Sequence, residues 1–218
     1  MLRFYKDLIP LNSLCFDIGA NRGKYTTLFL KCKAQIIAVE PQLTCSRLLK
    51  ELFTGEKRVT LINAAIGSEV ATGTLHIGNN DEVSTLSADF IEAYSIYSHN
   101  AWNEKEEVCI TTLDQLIEAH GLPFFCKLDI EGWESEALRG LSHAIPLISF
   151  EYNFLLKPKS LECITMLSGK GNYVFNFSAY ENCIFTSVEW LNDKKMAAFI
   201  MEMPAVILHG DLFARLIN

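Results

Sequence analysis

The chain has no basic face, no paired cysteine motif and no uninterrupted apolar run of membrane length, and each absence removes a class of function. Acidic residues outnumber basic ones, 26 to 19, and lysine and arginine do not gather on one prospective helix face. Such a chain carries no electropositive footprint for nucleic acid or an anionic membrane. The cysteines at 15, 32, 45, 109, 126, 163 and 183 are odd in number and form no Cys-x-x-Cys or Cys-x-x-His pair. That pattern argues for reduced core thiols in a cytoplasmic protein over a disulfide frame or zinc site. The most apolar late stretch, Met196 to Leu208, is broken by Glu202 and Pro204, so no membrane span is expected. The opening "MLRFYKDLIPLNSL" contains Asp7 and Pro10 and no long apolar region, so no signal peptide is expected.

What is present suits a folded core. Half of the 218 residues are hydrophobic, enough for a single α/β domain over 1–218. Apolar runs alternate with helical periodicity: "LCFDI", then Tyr25, Leu28, Phe29 and Cys32 at helical spacing; "QIIAVE", then "LTCSRLLKELF" with Leu48, Leu49 and Leu52 on one side; and "RVTLINAAI" as a third strand. Strands without polar alternation are buried on both faces, as in a doubly wound, mostly parallel sheet with helices on both sides. The glycine- and asparagine-rich stretch from Thr72 to Ser87 suggests a hairpin or loop insertion, and 88–107 an irregular lid or weak helix. The alternation then resumes with "EVCITTL", a helix capped by Thr112, Gln115 and Gly121, "FFCKLDIEG", a helix with Trp133, Ala137 and Leu141 on one face, "PLISFEYN", a helix ending at Gly169, "YVFNFS", and a tail that reads helix then strand. The expected layout is a cofactor-binding core over 12–153 with an insertion at 70–110, and substrate-side elements over 154–218.

In an open parallel sheet, ligands sit beyond the carboxyl ends of the strands. Asp17, Gly19, Glu40, Asn63, Asp129 and Glu151 fall at or just past such ends. The first turn, "DIGANRG", lacks the glycines of the dinucleotide fingerprint, because Asn21 and Lys24 stand where two would be needed. A carboxylate there repels pyrophosphate yet accepts hydrogen bonds from an ammonium or hydroxyl group. Glu40 follows at the end of the next strand, the place from which an acid about 20 residues past the turn binds ribose hydroxyls.

The stretches "FDIGANRGKYT", "IAVEP", "INAAIGS", "GTLHI", "VSTL", "TTLDQL" and "KLDIEGWESEALRG" followed by "ISFEYN" together resemble the FkbM-type S-adenosylmethionine-dependent methyltransferases, within the Rossmann-like class I. The spacing K-x-D-x-E-G-x-E-x-x-x-L-x-G is the most specific. The resemblance implies S-adenosylmethionine as cofactor, with Asp17, Gly19, Ala20 and Asn21 at its methionine part, Glu40 at its ribose, and Asn63 and Ala64 near its adenine. Tyr25, Pro41, Ser84, Thr85 and Asp129 complete the expected cofactor contacts. It implies O-methylation of a hydroxyl on a sugar, a glycan or lipid, or a secondary metabolite. An inactive cofactor-binding scaffold and an NAD-dependent oxidoreductase are the alternatives.

Methyl transfer to an alcohol needs an oriented acceptor and help with its proton. Asp129 and Glu131 are the first candidates, as general base or together as a divalent-metal site, although a structural role for each stays open. Lys127 shares a strand face with Asp129 and is expected to pair with it or with Glu151. Among the five histidines only His99, in the lid, is placed to reach a substrate. Tyr94, Tyr97 and Trp102 form a prospective apolar or sugar-stacking wall.

Overall fold

A computed structural model describes residues 1–80, 83–97, 99–180 and 182–217. In chain order the elements are α1 (Leu2–Leu8), β1 (Leu14–Ile18), α2 (Lys24–Lys31), β2 (Gln35–Val39), α3 (Leu43–Leu52), β3 (Val59–Ile62), β4 (Ala65–Ile66), β5 (Ala71–Ile77), α4 (Ala88–Tyr97), β6 (Glu104–Thr111), α5 (Leu113–His120), β7 (Phe125–Leu128), α6 (Glu134–Arg139), β8 (Leu147–Asn153), α7 (Lys157–Lys170), β9 (Tyr173–Ala179), α8 (Asp193–Glu202) and β10 (His209–Leu216). Seven strands form the main sheet in the order β3-β2-β1-β7-β8-β10-β9. The five from β3 to β8 pair in parallel, and β10 runs antiparallel between β8 and β9. The Rossmann-like, mostly parallel architecture is therefore present. The expected terminal strand is inserted between two others, so its amino end lies beside the carboxyl ends of the parallel strands.

The two-residue period of each strand divides the sheet into two unlike faces. On one, Phe16, Ile18, Cys126, Leu128, Ile148, Phe150, Leu212 and Ala214 pack on residues of α5, α6, α7 and α8. On the other, Cys15, Phe125, Leu147 and Phe213 pack on α1, α2 and α3. That second face changes character toward the carboxyl ends, where register places Asp17 beside Lys127, Lys127 beside Ser149, and Glu151 beside Asp211. Alternation alone delivers these charges to one side of the sheet.

Several expectations need revision. The third run splits after Ile62: β4 leaves the main sheet and joins β6 and β5 in a small three-stranded sheet, with β5 and β6 antiparallel. "EVCITTL" is thus part of the insertion, and the main sheet resumes only at β7. Residues 88–97 form a helix, α4. In α3 the buried side is Cys45, Ser46 and Leu49, while Leu48 is 41% exposed and Leu52 56%, because the helix turns its other edge to the sheet. Thr112 caps α5 by accepting a hydrogen bond from the Gln115 backbone amide at 3.1 Å, and the Gln115 side-chain oxygen accepts from the Thr111 hydroxyl, so only half of a capping box forms. No helix among the described residues is long and apolar enough to cross a membrane.

All seven cysteines are free thiols; Cys15, Cys32, Cys45, Cys126 and Cys163 are buried, Cys183 is half-buried and Cys109 is exposed. A bulky thiol reagent should label Cys109 rapidly and Cys183 more slowly, and the buried five only after denaturation. Fast labelling of the buried thiols in the native protein would contradict this packing.

Candidate active site

Gly19 sets how closely the first turn can approach the rest of the sheet. Its φ is +82° and an added Cβ would lie 1.9 Å from the carbonyl oxygen of Asp129, so only glycine fits there. The amides of Gly19 and Ala20 both donate to the Val39 carbonyl, at 2.9 and 3.0 Å. The turn is thereby pinned between the ends of β2 and β7, and beside it opens a cavity of about 310 Å³.

Glu40 occupies one end of that cavity and is 6% exposed. Its carboxylate accepts hydrogen bonds from the backbone amides of Asn21 and Gln42, each at 2.8 Å. Burial outweighs those two bonds and pushes its pKa up to about 7. Asn63 is not among the residues that line the cavity: its side-chain amide donates to the carbonyls of Glu40 and Pro41, both at 2.9 Å, holding the backbone that carries the carboxylate. Ala64, Ala65, Ile66, Leu75 and Trp133 form an apolar wall nearby.

Asp17 was expected at the mouth of the turn but lies behind it, 1% exposed and outside the cavity lining. One carboxylate oxygen accepts from the Thr26 hydroxyl at 2.5 Å, and the other has no hydrogen-bond partner among the described residues. Burial raises its pKa to about 6. His99 is exposed and does not line the cavity; its carbonyl accepts from the Asn79 side chain at 3.4 Å.

The opposite end is acidic. Lys127, 1% exposed, places its ammonium 3.1 Å from Asp129 and 3.1 Å from Asp211, and 4.2 Å from the centre of the Tyr25 ring. Glu151 is not among its ion-pair partners, contrary to the alternative left by the sequence. One carboxylate oxygen from each of Asp129, Glu131 and Glu151 lies within 4.8 Å of the others. Oxygens at that spacing suit a cation, and the Lys127 ammonium already supplies one to Asp129. Glu131 adopts φ +52°, a left-handed conformation unusual for glutamate. The next acid, Glu134, helps hold the loop there, because one of its oxygens accepts from the amides of Ile130 and Gly132 at 3.2 and 3.3 Å. Burial pushes Glu134 up to about 7.

Ser84, Thr85 and Leu86 also line this space. Thr85 donates its hydroxyl to the Glu131 carbonyl at 2.7 Å, and Ser84 donates to the Gln42 side chain at 3.3 Å. Trp102 donates to the Val83 carbonyl at 2.8 Å and packs edge-on to Phe90, which stacks on Tyr94. Tyr94 in turn accepts from Asn153, so this aromatic group is tied into the fold. The Tyr97 side chain lies outside the described residues.

A family model described as a methyltransferase FkbM domain matches residues 17–175. The chain belongs to the FkbM methyltransferase family. Among solved structures, this methyltransferase is similar to precorrin-6Y C5,15-methyltransferase from Geobacter metallireducens, with a TM-score of 0.51 and 13% identity over 98% of this chain and 84% of that one. It is also similar to an rRNA methylase from Streptococcus thermophilus (TM-score 0.46, 10% identity, 100% and 94% covered). Aeropyrum pernix fibrillarin, solved with natively bound S-adenosyl-L-methionine, gives a TM-score of 0.48 at 10% identity, with 98% and 72% covered. At these identities the first match speaks for the fold alone. No curated protein matches the chain.

Of the residues singled out from the sequence, Gly19, Ala20, Asn21, Tyr25, Glu40, Pro41, Ala64, Ser84, Thr85, Asp129 and Glu131 line the methyltransferase's cavity. Sequence reasoning missed Gln42, Tyr180, His209 and Asp211, which line it too. The last two belong to β10, whose antiparallel placement carries its first residues to the site. No one-dimensional signal announces that.

Three buried acids in this methyltransferase have a definite consequence for pH. Unfolded, Asp17, Glu40 and Glu134 titrate at about 4, but folded values of about 6, 7 and 7 mean that the native state keeps protons the unfolded chain has released. Stability from these groups is therefore complete below the unfolded values and is lost as pH rises through the folded ones. Glu134→Gln keeps an acceptor for the loop amides and should flatten the fall in melting temperature between about pH 5 and pH 8. A slope equal to that of the unmodified protein would show that Glu134 is ionised in the fold throughout.

Proposed function

We propose that this methyltransferase moves a methyl group from S-adenosylmethionine to a hydroxyl of a sugar, a glycan or lipid, or a secondary metabolite. The observation that carries the reading is Glu40, held by two backbone amides at the end of β2 with lone pairs left for a ribose diol. The rest of the cavity fits the same molecule. The alanine, isoleucine and tryptophan wall beside Glu40 suits a flat base. The acidic far end suits a sulfonium and an ammonium group, whereas pyrophosphate would meet Asp129, Glu131 and Glu151. That disfavours a nicotinamide dinucleotide.

Within this reading, Asn21, Gly19 and Ala20 form the backbone cradle of the methionine part, with Tyr25 and Lys127 at its side. Asp17 and Asn63 act indirectly, by supporting the turn and the Glu40 backbone. When bound, the cofactor supplies an electrophilic methyl group. The protein's task is to hold an acceptor oxygen in line with that methyl and manage its proton. Asp129 and Glu131 face that place, with Asp129 in an ion pair with Lys127. Residues 12–153 serve as the cofactor-binding part, 70–110 as its cover, and 154–218 as the acceptor side, to which Tyr180 and His209 belong.

Calorimetry with S-adenosylhomocysteine and NAD tests the cofactor, and binding of NAD alone would overturn it. Glu40→Ala should weaken S-adenosylhomocysteine by about 2–4 kcal/mol through loss of charge-assisted hydrogen bonds while the protein stays folded. Mass spectrometry of metabolites and glycans from cells with and without the protein should show a product heavier by one methyl. The reading uses no metal, so a chelator should leave that product unchanged; loss with recovery on adding Mg²⁺ would place an ion among the carboxylates.

A further inference from the structure

We propose that Glu151 is a catalytic residue, the carboxylate that takes the proton from the acceptor hydroxyl. The inference rests on the methyl-transfer reading of the same cavity and goes beyond it by separating the roles of the carboxylates. Glu151 lies on β8, on the charged face of the sheet, and lines the cavity beside Asp129. Its neighbours are already engaged. Asp129 is ion-paired with Lys127, which also holds Asp211. Glu131 sits on a left-handed turn whose carbonyl is held by Thr85. Oε2 of Glu151 is buried and has no hydrogen-bond partner among the described residues. A buried polar atom without a partner is costly unless a ligand or water completes it.

The surroundings also favour proton uptake at this carboxyl. Burial, followed by the charges of Glu131, Asp129 and Glu134, holds its pKa well above the usual carboxylate range, and Lys127 opposes that only in part. Asp211 stands opposite it on β10, and Tyr94 approaches from α4. Two carboxylates side by side in unlike environments divide the work: Asp129 is taken up by the Lys127 ammonium, and Glu151, among other acids, is left to accept a proton. A cationic sulfonium entering this end offsets the crowding of acids and favours the ionised form of Glu151 before reaction. As the acceptor oxygen's electron pair forms the new bond to the methyl carbon, the carbon–sulfur pair remains on sulfur, leaving an uncharged thioether. The hydroxyl proton passes to the Glu151 carboxylate.

The test needs no acceptor. Sinefungin resembles S-adenosylhomocysteine but carries an aminomethine group, protonated to an ammonium, at the place of the reacting methyl. A carboxylate poised there should make the protein prefer sinefungin over S-adenosylhomocysteine by roughly tenfold or more, as a charge-assisted hydrogen bond implies. Glu151→Gln should bring the two affinities to near parity, with S-adenosylhomocysteine affinity changed by no more than about twofold. In the unmodified protein the preference should also shrink on acidification from about pH 8 to pH 5, which carries the test even if the variant fails to fold. A preference unaltered by either the substitution or the acidification overturns the assignment of Glu151. Failure of the unmodified protein to bind S-adenosylhomocysteine at all would instead overturn the cofactor reading beneath it.

Discussion

A buried ammonium makes the acidic end of the cavity possible. Lys127 lies on β7, bridges Asp129, just past the end of that strand, to Asp211 on β10, and rests on the ring of Tyr25 from α2. Burying a lysine costs several kcal/mol unless its charge is compensated, and two carboxylates and an aromatic face provide that compensation. In return, the ammonium lets several carboxylates share one end of a cavity without expelling each other. Leaving any of the three groups unmatched would leave an uncompensated charge in the sheet. The last strand is thereby fastened to the site electrostatically as well as through its ladder.

The two ends of the cavity are built by different physics. At Glu40, backbone amides hold a single carboxylate, so its position follows from the turn and from the Asn63 bridge to the backbone behind it. At the Asp129 end, position follows from charge and from strand register. The first arrangement is rigid and suited to recognising a constant part of a ligand. The second concentrates ionisable groups, which suits chemistry in which charge and protons move.

The insertion connects the two. Its small sheet packs through Ala65, Leu75 and Val108, and its Ser84–Thr85 segment touches Gln42 at one end of the cavity and Glu131 at the other. Those two bonds tie the segment to both ends of the cavity. Gly67 strengthens this coupling: an added Cβ at Gly140, in the main body, would lie 2.2 Å from the Gly67 carbonyl, so the insertion's root and the end of α6 meet backbone to backbone.

Local chemistry was enough to read the parallel strands, the helices between them, the glycine turn and Glu40. Each of these depends on neighbours within about one strand–turn–helix unit, where hydrophobic period and turn residues act directly. The K-x-D-x-E-G-x-E pattern likewise exposed Lys127 and Asp129, since residues two apart along an extended chain share a face, and Glu131 in the turn that follows. The retreat of Asp17 behind the turn was not legible, because whether a strand-end side chain meets solvent or Thr26 depends on the rotation of α2. The withdrawal of His99 from the cavity depends on how the insertion folds back. The place of β10 was decided by tertiary structure alone: a strand's own residues specify its faces but not which edge it enters, and that choice joined Asp211 to Lys127, 84 residues earlier, and brought His209 to the same cavity. Sequence by itself determined which residues could carry charge on which strand face, and only the order of the strands decided which of those charges would meet.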